Sequence, residues 1–343
     1  MKDNKKHKKA EYGILITGLI ILLAATCVIA LCAGQYSVSV PEVIKILASR
    51  FVNVTKTWSN TAEGVVFTLR LPRMIGAVLV GSALSLSGAA YQGVFKNPLV
   101  APDLLGVSSG ACVGASVAIL LHLNSFGVQA MAFVAGILAV GLTLFIPRLI
   151  KNTNMTMLVL SGIIVKGIMD SVMGIIKYVA DPETELQSIT YWQLGSLTKV
   201  LPKDLFTVGP VIVAASVIIF LLRWRINILS LGDREAKTLG VSVTVVRNFI
   251  IICATLLTAS AVCISGTIGW IGLVIPHFAR MLTGPDNTKA IPASILIGAI
   301  FMVAIDTLAR ALTSVELPLS ILTGIIGAPF YIIILARQRM KLS

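Results

Sequence analysis

Apolar residues gather along this chain in blocks separated by short polar or charged stretches. The blocks are about 20 residues long, enough for a helix to cross the hydrocarbon core of a bilayer. They fall near 13–33, 72–95, 105–122, 127–147, 155–179, 204–223, 245–267, 271–284, 290–311 and 319–336. The block at 271–284 is short for a full crossing and is expected to be half-buried. Between the second and third blocks, Asn97-Pro98 and Ala101-Pro102 break the helical pattern, and Ser108-Ser109-Gly110 opens the next helix. Non-helical backbone at membrane depth is tolerated only where protein or a cavity buries it, so this stretch is a tight turn or part of a gate. Gly110 and Gly114, and Ala77 and Gly81, form small-xxx-small pairs that let helices approach closely, most simply within one subunit. Ser87-Gly88 followed by Pro98 is echoed at the same spacing by Ser265-Gly266 and Pro276, as an inverted repeat would be.

Composition narrows the class. Of 343 residues, 56% are hydrophobic and 13% charged, with mean hydropathy +0.93. A soluble domain would carry roughly a quarter charged residues, so this is a polytopic protein with the lipid bilayer as its solvent. The formal charge of +13 then reads as topology, because Lys and Arg concentrate in cytoplasmic loops. No basic stretch is interleaved with aromatics, and no nucleic-acid partner is expected. Ten spans place both termini in the cytoplasm: a basic amino end over 1–12, a membrane domain over 13–336 and a basic carboxyl end over 337–343. That path puts the Lys2–Lys9 run, Lys96, Arg148, Lys151, Arg223, Arg225, the 233–247 cluster, Arg280, Lys289 and the terminal ARQRMK inside. Arg70, Arg73, Lys177, Lys199, Lys203 and Arg310 lie outside and call for a separate reason. The first block is too long for a signal-peptide core, and an uncleaved first helix is expected. Cys27, Cys32, Cys112, Cys253 and Cys263 all fall in apolar runs without CxxC spacing and read as free thiols.

Ionisable residues inside spans are costly, about 2.5–3.5 kcal/mol each on insertion scales, so each needs a partner or a task. Lys166 and Asp170 sit one turn apart in the fifth block. They form either an internal ion pair or part of a water-filled pathway touching a charged substrate. Asp306 and Arg310 repeat that spacing near an outer end. Arg70 and Arg73, in TLRLPR, flank the outer start of the second span, with Pro72 suited to a first helical turn. These three arginines either snorkel to the interface or stand as guanidinium forks for carboxylates on an external partner. His7, His122 and His277 lack carboxylates at ligand spacing, and HExxH and Walker motifs are absent. Neither a catalytic constellation nor a metal site is expected.

Several blocks together carry a resemblance: TLRLPR (68–73), SGAAYQGVFKNPLVAPDLLGVSSGA (87–111), YWQLGS (191–196), LSLGDREAKTLGV (229–241), GTIGWIGLVIPHFARMLTGPD (266–286) and DTLARALTSVELPLSILTGIIGAPFYIIIL (306–335). In order and over nearly the whole chain, they resemble the FecCD-type permeases, BtuC-like membrane subunits of type II ABC importers for ferric siderophores, haem and cobalamin. The resemblance implies an all-α integral membrane fold of about ten transmembrane helices in the cell membrane. It implies a homo- or heterodimer with a second permease subunit, a cytoplasmic ABC ATPase dimer that uses the ATP, an extracytoplasmic binding protein, and no bound cofactor. On this resemblance Arg70, Arg73 and Arg310 receive acidic residues of the binding protein, while Asn97, Pro98, Leu99 and Thr156 form the inner gate. The fifth and tenth helices would line the pathway, which places Lys166 and Asp170 there; a buried cation at Lys166 departs from the family pattern and would favour an anionic chelate.

The resemblance also assigns the 226–243 insert to the coupling helices that meet the ATPase. Leu231, Ala236 and Leu239 would pack, Asp233, Arg234, Glu235 and Lys237 would meet water or partner, and Gly232 and Gly240 would permit sharp turns. The expectation is therefore a permease subunit for a ferric siderophore, with haem or cobalamin as alternatives. A rival from another class is a self-sufficient ion-driven carrier using Lys166, Asp170 and Asp306 as titratable sites, though such a carrier would not need the 229–243 insert.

Overall fold

The structure is a computed structural model that describes residues 2–152, 154–313 and 315–339, with side chains described over 10–332. The Lys2–Lys9 side chains and the terminal ARQRMK lie outside that range. The chain folds as α1 (Lys2–Cys32), α2 (Val40–Ala48), α3 (Asn60–Gly64), a π-helical turn (Val65–Arg70), α4 (Leu71–Phe95), a 3-10 turn (Pro102–Leu105) and α5 (Val107–Leu120). It continues as α6 (Ser125–Leu149), α7 (Met155–Val179), α8 (Glu185–Leu194), α9 (Pro202–Leu231) and α10 (Asp233–Thr238). The last elements are α11 (Val243–Ser265), α12 (Ile271–Thr283), α13 (Asn287–Ala311) and α14 (Leu319–Arg339). Among the described residues seven helices are long and apolar enough to cross a membrane: α1, the continuous α3–α4 rod, α6, α7, α9, α11 and α13. The shorter apolar helices α5, α12 and α14 complete the expected set.

Local chemistry sets the starts. Asn124 and Asn154 accept hydrogen bonds from Gly127 N (2.9 Å) and Met157 N (2.7 Å) at the beginnings of α6 and α7. Asp286 does the same for Thr288 N (2.9 Å) at α13. Each satisfies one donor that a helix leaves open at its first turn. The connections assign the two ends of the bundle. At one end the Tyr12 hydroxyl donates to Lys289 O (3.2 Å) and Asn227 Nδ2 to Asp286 Oδ1 (2.6 Å), and α10 sits beside them. At the other lie the close of α1, the start of α4 and the close of α13, joined by the arginine contacts described below.

The centre of the bundle is α4, α11 and α13, and small residues set their spacing. A Cβ at Gly81 would collide with the Gly298 carbonyl oxygen, and one at Gly88 with that of Gly272. Gly110 and Gly114 press α5 onto Ala135, Ala139 and Met131 of α6, so this GxxxG is used inside the subunit. Lipid supplies no hydrophobic drive between helices, and packing of this closeness takes its place. Large apolar side chains such as Ile14, Leu138, Ile163, Phe206 and Leu221 face outwards, as a lipid-facing rim requires. The five cysteines are free thiols.

Four features differ from the sequence expectation. The sixth span runs on to Leu231, so 226–231 is helix α9 and not part of a separate insert. Residues 34–64 form a small cap in which Val38, Val43, Ile46, Trp58 and Ala62 pack with Leu31 and Val66. A further helix, α8, lies between α7 and α9. The two Ser-Gly pairs sit differently in their helices. Gly88 lies within unbroken α4, whereas Gly266 ends α11 at φ +69°, a conformation that favours glycine.

Candidate functional site

Helix α11 stops at Gly266, and a non-helical stretch runs to the start of α12. Buried backbone groups need partners, and here neighbouring chain ends supply them. Ser196 N donates to Ser265 O (2.8 Å), Leu319 N to Gly195 O (3.1 Å), and the Thr267 hydroxyl to Gln193 O. Ser320 Oγ donates to Thr267 O, and Trp270 lies against Gly324 and Gly327 of α14. The break is thus a braced junction of α8, α11, α12 and α14.

Beside this junction opens a cavity of about 190 Å³. Asp103 of the 3-10 turn, Ser108 and Ser109 of α5, Lys166 and Asp170 of α7, and Gln193 of α8 supply most of its polar lining; Cys112, Met173 and Thr267 complete it. Gly162 lets α7 sit directly on Leu104 and Leu105, which fixes Lys166 beside the 3-10 turn. The Ser108 hydroxyl donates to Asp103. Lys166 and Asp170 are both exposed, and among the described residues no ion pair joins them. Of the two sequence readings, the internal pair is therefore not what the fold makes. Both side chains line the cavity instead. Asp103, Ser108, Gln193 and Thr267 escaped the sequence reading. The one available signal was Asp103 directly after the Ala101-Pro102 break, a carboxylate in an otherwise apolar stretch.

At the α10 end, Asn97, Pro98, Leu99 and Thr156 are all exposed. Asn97 Oδ1 accepts from Leu99 N (2.9 Å), and Val100 N donates to Asn97 O (3.3 Å), making 97–100 a self-braced turn. Next to it lies α10. Ala236 is buried as expected, but Leu231 and Leu239 are 64% and 59% exposed, so the two leucines do not pack within this chain. A six-residue helix has one narrow inward face, and Ala236 occupies it. Arg234, Glu235 and Lys237 are exposed, and Gly232 (φ +148°) and Gly240 (φ +76°) bound the segment. Asp233 does not simply meet water. Its Oδ1 receives Arg247 Nη2 (2.7 Å) and Lys96 Nζ (3.1 Å). The Arg247 guanidinium, joined by Lys96, holds its carboxyl below the usual range despite partial desolvation.

The opposite end corrects the expectation for the arginines. Arg70, Arg73 and Arg310 are not free forks. Arg70 is buried and donates to Leu31 O (2.7 Å), Cys32 O (3.0 Å) and Tyr36 O. Arg310 donates to Ala33 O (2.7 Å) and Ala30 O. Together they satisfy carbonyls at the close of α1, where a helix leaves its last four acceptors open and favours positive charge. Arg73 Nε donates to both oxygens of Asp306 (2.8 and 3.0 Å), and its Nη1 to both of Glu316 (2.8 and 2.9 Å). Each nitrogen is shared between the two oxygens of one carboxylate, so Arg73 makes two charge-assisted, bifurcated contacts, one to each acid. Asp306, offered as a titratable site by the rival reading, is spent on Arg73.

These features define a multi-pass membrane protein built around a broken-helix junction, with a small polar helix projecting at one end. The chain belongs to the FecCD transport family, which matches residues 21–337, and is an ABC importer permease of that type. It is 38% identical over 322 residues to the molybdate import system permease protein MolB of Haemophilus influenzae, covering 94% of this chain and 95% of that one. It is 40% identical over 275 residues to a probable iron chelatin transport system permease of Helicobacter pylori, with 80% and 83% covered. It is 37% identical over 283 residues to the cobalamin import system permease BtuC of Halobacterium salinarum, with 82% and 76% covered. A solved structure described as an inward-facing conformation of a metal-chelate-type ABC transporter superposes with TM-score 0.85 at 35% identity, covering 95% of this chain and 99% of that one.

Proposed function

We propose that this chain is the membrane subunit of an importer for an anionic iron chelate of the ferric siderophore class. In this reading it does no chemistry on its cargo and needs no cofactor. A cytoplasmic ATPase dimer docks at the α10 end, an extracytoplasmic binding protein delivers at the other, and a second permease subunit closes the pathway. Both termini then lie in the cytoplasm. The observation that carries the choice of cargo is Lys166, exposed beside the polar cavity with no ion pair among the described residues. A cation there lowers the energy of an anion that reaches it, against the opposing charges of Asp103 and Asp170 in the same lining. The exposed Leu231 and Leu239 flanking α10 support the docking assignment, because apolar residues held in water beside charged ones suit a partner cleft.

The test is uptake of a radiolabelled ferric siderophore into proteoliposomes holding the chain, its ATPase and its binding protein. Lys166→Ala is expected to cut uptake about tenfold, equivalent to ~1.4 kcal/mol, with assembly of the complex unchanged. Equal loss of uptake and assembly would make Lys166 structural. A second reading, a bare oxyanion, is favoured by the likeness to MolB along 94% of the chain. Molybdate uptake in the same vesicles, with no response to any iron chelate, would decide for it.

A further inference from the structure

Lys96 closes α4 in the left-handed conformation, φ +53°, with its amide bonded to Gln92 O. Glycine takes such a position without strain, whereas a side chain costs roughly 1 kcal/mol, so a lysine here is kept against its backbone preference. Its ammonium reaches Asp233 Oδ1 (3.1 Å), the same oxygen that receives Arg247 Nη2 (2.7 Å). Asp233 is the first residue of α10, and Arg247 lies near the start of α11. One carboxylate oxygen therefore joins three elements that are 137 and 14 residues apart in sequence. Arg247 is the well-fixed member, its side chain only 13% exposed against 34% for Lys96 and 50% for Asp233.

The residue after Lys96 begins the self-braced 97–100 turn. Asn97 N bonds back to Gln92 O (3.3 Å), and Asn97 Oδ1 holds Leu99 N. That turn is short and internally bonded, so a displacement of Lys96 carries Asn97 and Leu99 with it. On the other side, α10 is bounded by Gly232 and Gly240, both at positive φ, and seats itself through Ala236. Such a segment can tilt as a unit about its two ends.

We infer that Lys96, Asp233 and Arg247 form a strut that transmits movement of α10 to the 97–99 turn. Lys96 acts in it as a positioning residue. The inference rests on the reading of α10 as the ATPase-docking segment and of 97–99 as a gate. An ordinary surface ion pair of this exposure is worth under about 1 kcal/mol and moves nothing. The distinction is one of coupling between elements, which stability alone does not report.

The experiment uses the full complex of permease and ATPase in proteoliposomes. Leu99→Cys is introduced, and its labelling rate by a water-soluble maleimide is measured without nucleotide and with ATP plus vanadate. The native cysteines, buried or half-buried, serve as the background in the chain without Leu99→Cys. With the strut intact, ATP is expected to change the labelling rate at least fivefold. Lys96→Met, which leaves α10 and its docking residues untouched, is expected to abolish that change while the ATPase still co-purifies. Lys96→Arg, which keeps the charge, restores it, and Asp233→Asn reproduces the loss. Combining Lys96→Met with Asp233→Asn adds nothing further, because the two act as one unit. If Lys96→Met labels with the same ATP response as its parent, the strut is overturned and the reading of the two segments stands. If the parent itself shows no response to ATP, that reading fails and the strut falls with it.

Discussion

The two carboxylates on Arg73 show how much one buried guanidinium organises. Asp306 is 3% exposed and is neutralised by Arg73, with Arg310 Nε further away at 3.8 Å. Removing one partner of a buried pair leaves the other charge uncompensated, which costs about 3–5 kcal/mol. Arg73→Ala is therefore expected to lower stability by that amount, read from thermal unfolding in detergent. Arg73→Ala combined with Asp306→Ala should recover part of the loss. Had the arginines been free forks, neither change would move the unfolding transition. Asp233 makes a pH-dependent contribution. Lys96 and Arg247 face it across the chain, with Arg234, Glu235 and Lys237 on its own helix. Its native pKa lies below the unfolded value of about 4. The stabilisation it brings is thus present above that value and lost as pH falls through the native one. The stability difference between the parent and Asp233→Asn should be constant from pH 8 to about 5, then shrink below about 4.

Helices α4 and α12 meet through two devices, one of space and one of hydrogen bonding. Gly88 gives the room, since any Cβ there strikes the Gly272 carbonyl oxygen. Pro276 lacks an N–H, so the Gly272 carbonyl four residues earlier has no helical donor. Gln92 Nε2 fills the gap, donating to Gly272 O (3.3 Å) and Leu273 O (3.2 Å), while its Oε1 receives Arg280 Nη2. Gly88→Val should force the helices apart and cost about 3 kcal/mol or more, because overpacking at a backbone contact cannot be relieved by rotamer change. The measurement is retention of a monodisperse peak after mild heating. Gln92→Leu, which keeps the volume but leaves those carbonyls and Arg280 without their partner, is expected to cost about 1–3 kcal/mol. The helices themselves were legible from sequence, because a run of about 20 apolar residues is a local property. Helices α2 and α8 were not. They lie outside the membrane blocks, and α8 closes on the braced junction whose partners come from three other segments.

The path of the chain makes a prediction about the two faces. Phe51, 90% exposed on the cap at one end, and Leu239, 59% exposed at the other, are separated by the whole thickness of the bundle. Cysteines placed there should label from opposite sides of the membrane: Phe51→Cys with an impermeant maleimide in intact cells, Leu239→Cys after the membrane is opened. The reverse result would invert the proposed orientation and put α10 out of reach of a cytosolic ATPase. At the outer end the sequence reading missed the internal partners of the arginines. Outward arginines looked available because, apart from Asp306 one turn from Arg310, no acceptor near them in sequence was evident. Their acceptors are the α1 terminus, up to 280 residues away, and Glu316, 243 residues from Arg73.

The amino-acid order alone determined that this is an all-helical chain in a bilayer with about ten crossings and a short charged helix between the sixth and seventh. Hydropathy and helix-breaking residues act over one span at a time, and each can be read where it stands. Tertiary structure decided which charges are spent and which are free: Lys166 opens into a cavity, Asp233 bridges to Lys96 and Arg247, and Arg70, Arg73 and Arg310 are bound internally. The reason is that a charged side chain in a low-dielectric fold takes its state from the partner that packing delivers. That partner comes from elsewhere in the chain.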